Sequence, residues 1–151
     1  ENEMVSGPDG LTKIELTFVH KLAERGHEAT IGWLTKRHNV TKAWERRFFI
    51  LDPYNQILRF FSSPEAAQKS TPHVLGEMNV RCCDVVEGLD KIGGVTNPSS
   101  EISMVAGHIP DSCFIKVTTN WMTLIVYADN QKEADNWVNS IHAVGNPPGI
   151  R

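Results

Sequence analysis

Two hydrophobic periods follow one another along this chain and mark out its elements. Leu11, Ile14, Phe18 and Leu22 recur at steps of three and four, with Val19 beside them. That spacing is one stripe of an amphipathic helix, expected over 11–25 and stopped by Gly26. From Ala29 the period falls to two, the signature of strands. Strands are expected at 30–36, 44–51 and 57–61. The polar loop His38-Asn39-Val40-Thr41 and the turn Asp52-Pro53-Tyr54-Asn55 separate them. A loop follows over 62–71, with one helical turn after Ser63-Pro64-Glu65. Further strands are expected at 74–80, 82–86, 113–118 and 122–128, the last two joined by a tight turn at Asn120. Between them, 88–111 is rich in Gly, Ser and Pro and has no period, as a long insert would.

The end of the chain is the clearest element. Asn130 and Glu133 fit a capping box, a side-chain acceptor followed three residues later by a carboxylate. Ala134, Trp137, Val138, Ile141 and Val144 then form an apolar stripe, and Gly145 and Pro147-Pro148 end it. Seven short strands followed by one helix predict a mainly β fold. The expected form is an antiparallel barrel or sandwich, with the helix capping one open end. The organisation is an extension over 1–28, one domain over 29–145 and a tail over 146–151.

Composition narrows the function. At 151 residues, 40% hydrophobic and 22% charged, the chain can bury one core without disulfides. No apolar run approaches the roughly 20 residues of a membrane span. No signal-peptide pattern opens the chain, and its start at Glu1 rather than methionine reads as a processed or partial chain. The cysteines are Cys82, Cys83 and Cys113, an odd number without a CxxC pair. Reduced thiols are expected, not a disulfide framework or a zinc ribbon. Enzyme motifs are missing: there is no GxSxG, GxGxxG, P-loop or HExxH. The six histidines are scattered and show no metal-ligand spacing. No catalytic activity, cofactor or metal is expected, and the four tryptophans read as core or cap residues.

The charge is unevenly placed. Residues 32–61 carry six basic side chains and two acidic ones, whereas the whole chain has a net charge of -3. Nucleic acid is an unlikely partner for so acidic a chain, but one concentrated basic segment suits a single anionic partner.

The residues of that segment carry a resemblance. Gly32-Trp33-Leu34-Thr35-Lys36, Lys42-Ala43-Trp44, Arg47-Phe48-Phe49-Ile50-Leu51 and Leu58-Arg59-Phe60-Phe61 resemble the opening of a pleckstrin homology domain. Ala128-Asp129-Asn130 with Glu133 and Trp137 is similar to its close. The resemblance covers about residues 30–144 and implies a seven-stranded bent barrel capped by a C-terminal helix. It also implies binding of an anionic phospholipid headgroup between the first two strands. By resemblance Lys36, Lys42 and Arg47 match the family's phosphate ligands, with Arg37, His38 and Arg46 in support. Strand parity agrees if Phe49 and Leu51 enter the core, since Arg47 then points into the mouth. Val40, the one apolar residue at the loop tip, is expected to touch the bilayer. His38 among cations should stay neutral until an anion arrives, which predicts tighter binding near pH 6 than near pH 8.

Two departures bear on the headgroup. Glu45 stands where the family's phosphoinositide binders usually carry a base, and Phe60 where they often carry a tyrosine. Both weaken the case for a polyphosphorylated inositide and disfavour phosphatidic acid much less. The extension, the insert and these departures are similar to the acylated pleckstrin homology proteins of apicomplexan parasites, which sense phosphatidic acid on microneme membranes. The expected place is cytoplasmic and peripheral on membranes, with a second anchor supplied by the 11–25 helix or by a lipid attached upstream of Glu1. The rival from another class is a protein-interaction domain that uses the 88–111 insert or the 11–25 helix. In a third reading, that helix blocks the basic mouth until lipid displaces it.

Overall fold

A computed structural model of the chain describes residues 30–98 and 109–148. The helix expected over 11–25 and residues 99–108 of the insert lie outside the described residues. The strands are β1 Thr30–Arg37, β2 Trp44–Asp52, β3 Ile57–Phe61, β4 Gly76–Asn79, β5 Asp84–Glu87, β6 Phe114–Thr118 and β7 Thr123–Tyr127. Among the described residues two α-helices accompany them, α1 Pro64–Gln68 and α2 Gln131–Gly145. The strands make one antiparallel sheet in the order β4-β3-β2-β1-β7-β6-β5. β4 and β5 are its edges, so the ladder is not closed, and the seven antiparallel strands followed by a C-terminal helix agree with the expected fold class.

By its contacts the chain divides into two compact units. The first includes residues 30–32 and 47–79. Here β2 and β3 pair from Phe48↔Phe61 to Asp52↔Ile57. Their turn is built by Asp52, whose Oδ1 accepts from the backbone N–H of Tyr54 (2.9 Å) and Asn55 (3.2 Å). Its Oδ2 accepts from Asn55 Nδ2 at 2.8 Å and Arg59 Nη1 at 3.4 Å. Burial pushes the Asp52 carboxyl up, but these hydrogen bonds outweigh it and hold its pKa below the usual value. Phe48, Phe49, Ile50 and Leu51 are all buried, so β2 is covered on both faces. The parity argument assumed one covered face and therefore does not decide where Arg47 points. The helical turn expected after Ser63 is α1, whose first turn is capped by Ser63 Oγ accepting from Ala66 N at 3.2 Å.

The second unit includes residues 33–46 and 80–148. Ala134, Trp137 and Ile141 are the buried stripe of α2, and Asn130 Oδ1 accepts from Glu133 N at 2.9 Å at its cap. Val138 and Val144, expected in that stripe, are only half-buried. Leu34, Phe114, Ile115, Val117 and Val126 are fully buried in the same unit.

Two boundaries differ from expectation for one reason. β4 ends at Asn79 and β5 begins at Asp84, inside the expected 74–80 and 82–86, because the chain leaves extended geometry around Cys82, at φ 60°; β4 also starts two residues later and β5 ends one later than expected. Cys82 N donates to Gly145 O at 2.8 Å, tying this turn to the end of α2. Gly145 is the last helical residue rather than a stop outside the helix. A side chain there would collide with the turn, since a Cβ would run into Val80 O. The described ends of the insert are packed: Ile92 is buried, and Asn97 Nδ2 donates to Ile109 O at 2.7 Å. Cys83 and Cys113 are buried free thiols whose pKa values burial raises, and Cys82 is exposed.

Two predictions follow from this packing. Gly145→Ala should lower stability by about 1–3 kcal/mol in urea unfolding, the usual cost of forcing atoms into filled space. The second concerns Glu87 on β5. Burial, then the hydrogen bond and charge of Asp135, push its carboxyl up to about 7 against the pull of Lys91. Its Oε2 is buried without a hydrogen-bond partner. The folded state thus holds this proton more tightly than the unfolded chain does. The resulting stability is full below the ordinary carboxylate range and is lost as pH rises through about 7. Thermal melting from about pH 5 to about pH 8 should show the wild type losing Tm and Glu87→Gln losing less. Parallel profiles for the two proteins would refute it.

Candidate functional site

The basic segment folds as the β1–β2 hairpin, and its loop is held by its own polar groups. His38 N donates to Ala43 O at 2.7 Å, and Lys42 N to His38 O at 3.0 Å. The imidazole sits inside this frame, with Nδ1 accepting from Val40 N and Thr41 N, both at 3.2 Å. The ring therefore carries its proton on Nε2. Thr41 Oγ1 accepts from Ala43 N at 3.2 Å. Lys42 adopts a left-handed backbone, φ 65°, and its Nζ donates to Asn39 O at 2.6 Å. An ammonium has three donors, so two remain for an incoming anion.

The base of the hairpin is clamped from β6, β7 and the connection between β7 and α2. Trp44 meets Phe114 edge-on at 5.9 Å between ring centroids and lies 5.3 Å from Tyr127. Arg46 forks onto Asp129 with Nη1–Oδ1 2.8 Å and Nη2–Oδ2 3.1 Å. Its guanidinium also lies over the Trp33 ring, 5.2 Å from the centroid. The hydrogen bond to Asp129 chiefly raises the Arg46 pKa, so the group stays charged.

The predicted residues are thus placed unequally. Lys42 and Val40 are exposed, Val40 at 81%. Arg37 and His38 are half-buried. Lys36 is 9% exposed and sits opposite Val126 in the β1–β7 ladder, more enclosed than an open mouth implies. Lys36, Arg37, His38, Lys42 and Arg46 belong to one compact unit, and half-buried Arg47, the next residue along β2, belongs to the other. Arg46 and His38 depart most from expectation. Both have well-defined roles in shaping the hairpin, and His38 Nδ1 is already an acceptor.

Sequence reasoning missed two residues. Asp129, the partner of Arg46, is 83 positions away along the chain, and nothing local signals that pairing. Trp121 stands 79% exposed in the β6–β7 turn, against the reading of all four tryptophans as core or cap residues. Its position directly after the turn residue Asn120 was the available signal. Among the described residues, no group of three His, Cys, Asp or Glu side chains could hold a metal ion. No helix among them is long and apolar enough to cross a membrane.

The family model described as PH domain matches residues 30–146. Over 112 residues the chain is 31% identical to pleckstrin homology domain-containing protein 1 of Arabidopsis thaliana, covering 73% of this chain and 63% of that protein. Over 77 residues it is 29% identical to the RAC serine/threonine-protein kinase of Drosophila melanogaster, covering 50% of this chain and 13% of the kinase. The chain therefore spans less than two thirds of either relative. A crystal structure of the C-terminal PH domain of pleckstrin, in complex with a myo-inositol pentakisphosphate, aligns with TM-score 0.55 and 19% identity. That alignment covers 78% of this chain and 94% of the solved one, and at this identity it shows likeness of fold alone.

The Arg46–Asp129 fork is half-exposed on both sides, which limits its worth. A double-mutant cycle of Arg46→Ala and Asp129→Ala should give a coupling of about 0.5–1 kcal/mol in urea unfolding. A coupling near zero would mean that the fork orients nothing.

Proposed function

This chain belongs to the PH domain family, and from that premise we propose that it binds the phosphate of an anionic membrane lipid at the β1–β2 hairpin. One observation carries the reading. Residues 36–47 hold five cations, Lys36, Arg37, Lys42, Arg46 and Arg47, against one acid, Glu45, in a chain of net charge -3. Clustered ammonium and guanidinium groups donate charge-assisted hydrogen bonds to phosphate oxygens. Lys42 keeps two donors for this purpose, and Arg37 and the two residues carried over by resemblance, Lys36 and Arg47, complete the set. In this reading Arg46 and His38 position the hairpin, and Val40 meets the bilayer. The domain has no catalytic role and holds its protein peripherally on a membrane.

The favoured headgroup is a simple phosphomonoester, phosphatidic acid. Glu45 adds an acid beside the cations and repels a polyphosphate more than a single phosphate. Phe60 stacks on Phe49 at 5.2 Å and has no hydroxyl to offer a phosphate. A phosphoinositide is the second reading, supported by the inositol pentakisphosphate complexes of the C-terminal PH domain of pleckstrin.

Vesicle co-sedimentation at matched negative charge tests both. Phosphatidic acid, phosphatidylserine and mono-, bis- and tris-phosphorylated inositides would be compared. Lys42→Gly is the clean variant, because glycine adopts the left-handed backbone of position 42 without strain. It should weaken binding roughly tenfold, the loss of one charge-assisted hydrogen bond. Arg47→Glu should weaken it further, and salt should weaken the wild type. Selectivity for an inositide would replace the first reading by the second. Pelleting that ignores salt and both substitutions would refute the hairpin site. Microneme membranes enter only if phosphatidic acid is selected.

A further inference from the structure

The β6–β7 turn displays an indole that headgroup binding does not use. Trp121 is 79% exposed and Met122 44%, whereas Trp137 is 1% exposed. The turn is closed rather than loose. Thr119 N donates to Met122 O at 2.9 Å, and Thr119 Oγ1 accepts from Trp121 N at 3.2 Å and Met122 N at 3.1 Å.

Strand register sets where this turn lies. β1 and β7 are antiparallel, with Lys36 opposite Val126. Four residues on from Lys36 comes Val40, and four residues back from Val126 comes Met122. The hairpin tip and the β6–β7 turn therefore extend from the same end of neighbouring strands, which pack about 5 Å apart. Val40, 81% exposed, and Trp121 are the two most exposed large apolar side chains among the described residues. Neither 36–44 nor 114–128 contains an acid, while Lys36, Arg37, Lys42 and Lys116 are cations.

Apolar tips on an acid-free cationic edge match the anionic bilayer interface, where an indole rests at headgroup depth. We infer that Trp121, with Met122 beside it, is a second membrane-contact element that enters the headgroup–acyl boundary together with Val40. This rests on the lipid reading above and adds an apolar contact to its charged one.

The test uses phosphatidylcholine vesicles with a minority of phosphatidic acid and brominated acyl chains, read by tryptophan quenching and by co-sedimentation. Trp121→Ser and Trp121→Phe would run beside the wild type, with thermal melts to confirm folding. The wild type should pellet and be quenched. Trp121→Ser should lose most of the quenching and bind about tenfold more weakly, on the scale of one buried apolar side chain. Trp121→Phe should recover much of the binding. If the wild type pellets but Trp121→Ser binds equally, the headgroup reading stands and Trp121 is not a contact. If the wild type pellets with no anionic vesicle, both fail. Concentration-dependent self-association, lost in Trp121→Ser and without quenching on vesicles, would overturn the inference in favour of a second copy of this chain.

Discussion

The pairing of β1 with β7 is the constraint on which the candidate site depends. Thr35↔Tyr127 and Lys36↔Val126 fix the register of that ladder, and they join segments about ninety residues apart. Closing so long a loop is unfavourable in chain entropy, and ladder hydrogen bonds, each modest in net worth, do not by themselves offset it. The burial of Leu34, Phe114 and Val126 supplies the stabilisation. Once the register is set, everything at this end is placed by counting. The β1–β2 loop and the β6–β7 turn come to one side, and Trp44 reaches Phe114 and Tyr127. The Arg46–Asp129 fork is then a consequence of register rather than its cause, because an exposed ion pair is too weak to determine it.

That hierarchy explains why a run of cations is not a list of ligands. Arg46 has its fork occupied by Asp129 and its face by Trp33. His38 has Nδ1 occupied by two loop amides. Lys42 is both a loop residue and a donor with capacity left. The positively charged segment thus separates into groups that shape the hairpin and groups that can meet a phosphate. Charge counting along the chain treats them alike because side-chain partners come from distant segments.

The same distinction marks what the sequence could reveal. Helix α2 was legible because its cap and its stripe are local: Asn130, Ala134, Trp137 and Ile141 stand at fixed spacings within one element. The β1–β2–β3 hairpins were legible from alternation and turn residues. Beyond that, local pattern failed where tertiary contact decided. β2 is buried on both faces, so alternation in Phe48-Phe49-Ile50-Leu51 carries no direction. Gly145 looked like a helix stop because glycine usually is one; its actual constraint is the backbone of Val80 beside it. The break between β4 and β5 is set by a turn that hydrogen-bonds to α2. Within the candidate site, the cations were visible, the enclosure of Lys36 was not, and Trp121 was misassigned because composition cannot tell a buried indole from a displayed one.

Charged and apolar contacts at one edge would answer to different physics in the proposed membrane role. Cation–phosphate contacts weaken with salt and give orientation over a distance of about a Debye length, roughly 8–10 Å. Apolar insertion is short-ranged and insensitive to salt, so it acts only after the edge has been brought to the surface. An acidic chain with one basic segment helps this sequence, since its other segments carry net negative charge and are repelled by an anionic bilayer. In the proposed role, repulsion elsewhere and attraction at the hairpin would select one approach, and that approach would present Val40 and Trp121 to the interface. Specificity would then come less from any single strong contact than from the requirement that both kinds be satisfied in one orientation.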